Sequence, residues 1–255
     1  MCPPTNYDVV YEINPWMNVK DRPNKDEAYK KWKNLYDLYL KLGVEVELID
    51  QPKGLPDMVF TANGGMVKDN IFISGNYRYK ERKGEEQHFQ KWFKDHGFEV
   101  KTLNSFQGGE GDALFYKDTL YLGYGFRSDK TAHEEIAKIL NVPTFSIKLI
   151  DPYFYDFDTT FCPMGDRGVL YYPKAYPKED AERVSAIDNA VAMTSEQAKH
   201  FLGNSVYLDG KLLVSFLDDD LKKKLYKFDI EPILLNMSEF KKAGGGIKCL
   251  TLYIS

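Results

Sequence analysis

The segment Gln107-Gly-Gly-Glu-Gly-Asp112 holds two carboxylates two positions apart among three glycines, directly ahead of an apolar stretch. In an extended strand, residues two apart leave the same face, so Glu110 and Asp112 are expected to converge. The glycines allow close approach of backbone or ligand. Two converging carboxylates suit a planar cation, which each can grip through paired hydrogen bonds. A solvated hairpin turn is the plainer alternative. A P-loop is excluded, because no Gly-Lys-Ser/Thr follows the glycines. A dinucleotide fingerprint fits poorly, because the glycines precede a strand rather than opening a helix.

A second glycine run, Ala243-Gly-Gly-Gly-Ile-Lys-Cys249, puts a cysteine at the entry of the alternating stretch Cys249-Leu-Thr-Leu-Tyr-Ile254. That thiol is either a packed hydrophobe or a nucleophile. The absence of side chains on the three glycines leaves room for a substrate beside the sulfur. Cys162, in Thr160-Phe-Cys-Pro163, reads as core, and Cys2 as an exposed terminal thiol. Asn14, in Ile13-Asn-Pro-Trp-Met17, and Asn63, in Asp57-Met-Val-Phe-Thr-Ala-Asn-Gly-Gly65, sit beside aromatic or glycine residues at strand ends. Either asparagine also suits a cap or a left-handed turn. Arg82 and Arg127 are surface charges by default.

These residues are carried by a recurring pattern of helix, turn and strand. The spacing predicts amphipathic helices over 25–42, 85–95, 131–140, 178–190 and 218–227, with strands at 44–49, 98–103, 142–149, 191–193 and 228–235. Paired apolar strands lie between them: 58–60, 65–67 with 71–74, 113–116 with 119–122, 160–162 with 168–172, and 206–208 with 212–216. Lys117-Asp118 and Asp209-Gly210 suit hairpin turns. A hairpin, helix and strand repeated about every 50 residues can close into a ring. No linker divides the chain, so one α/β domain over 1–255 is expected.

The chain has 255 residues, 43% of them hydrophobic and 15% aromatic, which excludes a disordered or collagen-like polymer. Its 34 basic and 38 acidic side chains, for a net charge of -4, argue against a nucleic-acid partner. No apolar run reaches the roughly 20 residues that span a bilayer, so no membrane partner is expected. Met1-Cys-Pro-Pro-Thr5 lacks a signal peptide's character, and three cysteines make no disulfide framework. A cytoplasmic location is therefore expected. The sequence sets no oligomeric state.

In order along the chain, Met1-Cys-Pro-Pro4, Ile13-Asn-Pro-Trp-Met17, Phe60-Thr-Ala-Asn-Gly-Gly65, Gly108-Gly-Glu-Gly-Asp112, Gly125-Phe-Arg-Ser-Asp129 and Gly245-Gly-Ile-Lys-Cys249 resemble the guanidino-group modifying enzymes. That family includes arginine deiminases, dimethylarginine dimethylaminohydrolases, amidinotransferases and arginine dihydrolases, and this chain looks most like the dihydrolases. The resemblance implies a pentein, a five-bladed α/β propeller of ββαβ units around a pseudo-five-fold axis. It implies Cys249 as the nucleophile at the guanidinium carbon, with Glu110, Asp112 and Asp158 holding the guanidinium nitrogens. Arg127 and Arg82 would face the substrate carboxylate and Phe60 would line the pocket. Asn14 and Asn63 would mark the dihydrolase branch, in which L-arginine gives ornithine, ammonia and carbon dioxide. The implied substrate is a small guanidino compound, and the chemistry needs no metal or cofactor.

One position departs from the family. Its His-x-Asp element protonates departing ammonia and then activates water. Here Phe154-Tyr-Asp-Phe-Asp-Thr159 keeps the aspartate as Asp158 but has Asp156 in the histidine's place. His88, His96, His133 and His200 lie in unrelated contexts. An ordinary aspartate titrates about 2.6 units below histidine and lacks a proton to donate near neutrality. Loss of a general acid–base costs roughly 100- to 10,000-fold in rate, unless neighbouring carboxylates raise the Asp156 pKa. Three readings follow: an impaired dihydrolase, a deiminase or dimethylarginine hydrolase that stops at citrulline, and a pentein that binds arginine without turning it over.

Overall fold

Four times along the chain, an antiparallel hairpin is followed by a helix that returns the backbone parallel to the hairpin's second strand. The computed structural model describes residues 1–254. The first unit joins β1 (Gly65–Lys68), β2 (Ile71–Ser74), α2 (Glu86–Asp95) and β3 (Glu99–Lys101). The second contains β4 (Ala113–Tyr116), β5 (Thr119–Tyr124), α3 (Lys130–Leu140) and β6 (Thr144–Lys148). The third contains β7 (Phe161–Pro163), β8 (Val169–Tyr171), α4 (Lys178–Ser185) and β9 (Ala190–Ala192). The fourth follows the short α5 (Ser195–Lys199) and contains β10 (Val206–Leu208), β11 (Lys211–Val214), α6 (Asp219–Lys227) and β12 (Glu231–Leu234). In every unit the first two strands pair antiparallel and the last two parallel. This is an α/β fold of four three-stranded sheets among the described residues.

Outside the sheets, α1 (Lys25–Lys41) buries Ala28, Trp32, Leu35 and Tyr39, a spacing that lines one helical face. The Asn24 side chain accepts from the Glu27 amide at 3.0 Å and caps its start. The buried face packs with Tyr7, Phe60, Phe240 and Leu250, and α7 (Ser238–Lys241) follows the fourth unit. The segment 44–49 is extended but forms no sheet strand. It meets the first residues through the Ile49 amide on the Met1 carbonyl at 3.0 Å and the Met1 amine on the Glu47 carbonyl at 2.8 Å. Residues 58–60 are not a strand either, because Pro56 opens a 3-10 turn over Pro56–Val59. Cys249 likewise lies in a turn, and the tail after it pairs with no strand among the described residues. Cys2 is fully buried against Met58 and Phe89 rather than exposed.

The feature that positions the site is the turn entering each unit's first strand. Thr61–Gly64, Gly109–Gly111 and Phe157–Thr159 are 3-10 turns ahead of β1, β4 and β7. Residues 201–204 form a turn before β10, and 246–250 form a fifth. Hydrogen bonds join the five in a circle. The Ala62 amide donates to the Cys249 carbonyl at 3.1 Å, and Asn63 Nδ2 donates to the Gly108 carbonyl at 2.9 Å. The Phe157 amide donates to Asp112 Oδ1 at 2.9 Å, and Asn204 Nδ2 to the Asp158 carbonyl at 3.5 Å. The Cys249 amide closes the circle on Asn204 Oδ1 at 3.1 Å.

Gly109 shows how tightly these turns meet. Its φ is +64°, and an added Cβ would stand 2.4 Å from the Ala62 carbonyl oxygen. Gly97 has a φ of +86° with no atom within 4 Å of the same position. Gly97→Ala is therefore expected to cost only the backbone penalty, about 1–2 kcal/mol. Gly109→Ala adds a clash with the neighbouring turn and should cost about 1–3 kcal/mol more. Urea denaturation of the two variants checks this, and equal losses would refute the close contact between turns.

Candidate active site

A narrow pocket beside the turns is lined by Asp57, Phe60, Asn63, Arg82, Arg127, Tyr155, Asp156, Gly244, Gly245 and Cys249. Cys249 is 2% exposed. Its S–H donates to Asp158 Oδ2 at 3.3 Å, and Asn204 Nδ2 donates to the sulfur at 3.0 Å. Burial, followed by the charges of Asp158 and Asp156, pushes the thiol well above its ordinary pKa. The unliganded site thus holds a thiol, and a cation placed between sulfur and carboxylates shifts it toward thiolate.

The carboxylates differ in their partners. Asp156 Oδ2 accepts from Arg127 Nη1 at 3.1 Å and from Asn63 Nδ2 at 3.4 Å. Burial raises its pKa, and Arg127 and Arg82 oppose the rise. Asp158 is fully buried and raised further by burial and then by Asp156. Asp57 is 1% exposed, and burial raises it against the pull of Arg82 and Arg127. Arg127 stacks on the Tyr155 ring at 4.3 Å, and the Tyr155 hydroxyl donates to the Gly244 carbonyl at 2.7 Å. That bond ties the glycine run to the arginine wall.

Several residues singled out from sequence stand elsewhere. Glu110 and Asp112 do not converge, because their segment is a 3-10 turn rather than a strand. Two positions of such a turn point about 120° apart. Glu110 Oε2 accepts from Lys248 Nζ at 2.6 Å and the Tyr253 amide at 3.0 Å. It borders a separate, larger cavity of about 520 Å³ among β1, β4, β7 and β10, which Cys249 does not line. Asp112 accepts from Ser128 Oγ at 2.6 Å and the Phe157 amide at 2.9 Å, behind the pocket wall. Arg82 lines the pocket, but its guanidinium is occupied by Glu85 at 2.9 and 2.8 Å, Asn63 Oδ1 at 2.8 Å and the Asp57 carbonyl at 3.2 Å. Four of its five N–H groups are taken, which leaves one on Nη1. Asn14 caps its own loop through the Trp16 amide at 2.9 Å and donates to the Ala243 carbonyl at 3.0 Å, bracing the glycine run from outside.

Phe60, Asn63, Arg127, Asp156 and Cys249 are brought to one pocket, with Asp158 bonded to the sulfur. Sequence reasoning missed Asp57, Tyr155 and Asn204. Asn204 precedes β10 as Asn63 precedes β1, each by two residues, and that shared position was the available signal. No histidine lines the pocket. His133 is buried on α3 between Ser146 and the Gly123 carbonyl, and its pKa is pushed down to about 4, chiefly by burial.

A family profile described as N,N dimethylarginine dimethylhydrolase, eukaryotic, matches residues 11–255. N(G),N(G)-dimethylarginine dimethylaminohydrolase of Mycobacterium tuberculosis is 36% identical over 255 residues, covering 100% of this chain and 84% of that protein. The bifunctional arginine dihydrolase/ornithine cyclodeaminase AgrE of Nostoc sp. is 38% identical over 264 residues. That match covers 100% of this chain but 37% of AgrE. The substrate-bound N-terminal domain of ArgZ, a cyanobacterial arginine dihydrolase crystallised as a cysteine-to-serine variant, superposes with a TM-score of 0.95 at 37% identity. The superposition covers 99% of this chain and 96% of that one. The chain belongs to the dimethylarginine dimethylaminohydrolase family of guanidino-modifying enzymes, close to the arginine dihydrolases. It is a hydrolase of the class that acts on guanidino C–N bonds. Among the described residues, no helix is long and apolar enough to cross a membrane.

Asp112 makes the site's assembly sensitive to pH. Burial and the nearby Asp156 raise its pKa from 3.8 to about 8. Between those values the folded state keeps a proton that the unfolded chain has lost. The associated stability is complete below about pH 4 and is lost as the pH rises through about 8. Asp112→Asn should flatten this part of the profile, measured by urea denaturation at a series of pH values.

Proposed function

We propose that residues 1–255 form one catalytic domain, a pentein of five ββαβ units, that performs arginine dihydrolase-type hydrolysis. The circle of five turns supports the five-fold reading, with α1, the segment 44–49 and the two chain ends making the fifth unit. The observation that carries the chemistry is the buried Cys249 sulfur, 3.3 Å from Asp158 and 3.0 Å from the Asn204 side-chain amide, at a pocket whose lining includes Asp57, Asp156 and the stacked Arg127. A guanidinium seated there places its carbon against the sulfur and its N–H groups toward Asp158 and Asp156.

Its positive charge favours the thiolate, and the S–H proton moves to Asp158. Sulfur bonds to the guanidinium carbon, one C–N bond breaks, and the proton leaves with ammonia. The remaining S-alkylthiouronium is resolved by water, returning the thiol and leaving a ureido group. A second round releases the amine, another ammonia and carbon dioxide. With L-arginine the final products are L-ornithine, two ammonia and carbon dioxide.

Asn63 supports the second round, because its amide lies between Asp156, Arg82 and Arg127 inside the pocket. Asn63→Ser is expected to raise the citrulline fraction several-fold, read by chromatography of the products. An unchanged ratio would remove its role and favour the citrulline-forming alternative.

Asp156 in place of an imidazole makes the chain a slow enzyme and supports a second reading, a pocket that binds without turnover. Asp156→His should increase ammonia release from arginine by about 100-fold or more, while Cys249→Ala abolishes it. Ammonia assays on both variants check this. An Asp156→His chain that binds arginine yet releases no ammonia would establish the binder instead.

A further inference from the structure

Around Cys249 the protein leaves three carboxylate oxygens without a hydrogen-bond donor, Oδ1 of Asp57, Asp156 and Asp158. Against them stand two donors without an acceptor, Arg127 Nε and the Tyr11 hydroxyl beside Asp57. The three aspartates and Arg127 are at most 7% exposed. Buried polar atoms of this kind call for partners. The ligand they describe is rich in N–H groups and poor in acceptors.

The cationic side of the pocket agrees. Arg82 has every guanidinium nitrogen engaged by Glu85, Asn63 and the Asp57 carbonyl. Arg127 is the remaining cation, and its Nη1 is paired with Asp156 at 3.1 Å, the two side chains being 8% and 2% exposed. A ligand carboxylate that reaches Arg127 must also approach Asp156, and like charges at close range in a buried site repel strongly. Asp156 therefore does more than remove an imidazole. It neutralises the one arginine that would receive an acid.

Resting on the reading that this pocket holds a guanidinium beside Cys249, we propose that its preferred ligand is a doubly cationic guanidinoalkylamine without a carboxylate. Asp156 is the residue that sets this preference against the amino acid. The guanidinium faces Asp158 and Cys249. The ammonium faces Asp57, whose backbone carbonyl is held by Arg82 on the far wall. The simplest member of the class is 4-guanidinobutylamine, which is arginine with its carboxylate removed.

Isothermal titration calorimetry near neutral pH tests this with three probes: 4-guanidinobutylamine, L-arginine and L-arginine methyl ester, in which the carboxylate is masked. The unsubstituted chain should bind the amine and the ester at least about tenfold more tightly than L-arginine. Asp156→Asn, which keeps the shape and removes the charge, should shrink that gap by about tenfold. L-arginine binding as tightly as the amine and the ester overturns the preference while leaving the guanidinium pocket intact. A preference that survives unchanged in Asp156→Asn overturns the role of Asp156. Failure of all three probes to bind a folded chain overturns the guanidinium pocket itself, and this proposal with it. Should Asp156→Asn not fold, the ratio of ester to arginine affinity in the unsubstituted chain decides the question alone.

Discussion

The circle of hydrogen bonds between turns is the constraint on which the site depends. Apolar packing already runs between units, as Leu114, Phe161 and Leu212 share one cluster and Met66 and Leu120 another, but it does not fix where the turns meet. The bonds from Ala62 to Cys249, Asn63 to Gly108, Phe157 to Asp112, Asn204 to Asp158 and Cys249 to Asn204 are what tie one unit to the next around the pocket. Three of these residues, Asn63, Asn204 and Cys249, also present side-chain groups to the ligand space or to the sulfur. The groups that hold the scaffold in register are thus also groups of the candidate site, and a buried polar network of this kind is favourable only when nearly complete.

The electrostatics of the pocket follow from that geometry. Bringing turn residues to one centre crowds Asp112, Asp156 and Asp158, and burial raises all three above the ordinary carboxylate range. Protons and cations are the two means of relieving such crowding. The protein uses both, with a thiol proton shared toward Asp158 and Arg127 set against Asp156. Asp156 adds a further acid to this crowd and increases the need for positive charge. The proton transfers of hydrolysis must then be managed by carboxylates.

Much of this arrangement was legible in the sequence. The spacing of Trp32, Leu35 and Tyr39 marked α1, and the turns at Lys117-Asp118 and Asp209-Gly210 marked two of the four hairpins, because periodicity and turn chemistry are local properties. Cys249, Asn63, Arg127 and Phe60 were identifiable for the company they keep. Glu110 and Asp112 do not converge as strand neighbours would, because a single 3-10 turn replaces strand geometry and gives the two carboxylates separate partners. Arg82 was misjudged because Glu85, three residues on, occupies it, and only packing shows that the pair is buried. Asn204 is marked only by its place two residues before β10, which matches that of Asn63 before β1, and Asp57 carries no local mark, since Pro-Asp is an ordinary turn composition. Their importance comes from neighbours distant in sequence.

The closing bonds of the circle have an order in time. During synthesis the turns at 61–64, 109–111, 157–159 and 201–204 leave the ribosome before residues 246–250, so Asn204 and Ala62 wait for Cys249. Until that last turn docks, the sulfur has no neighbouring aspartate and the clustered acids have no floor. Docking of that turn brings the Cys249 sulfur to Asp158 and Asn204 and closes the circle of turns together.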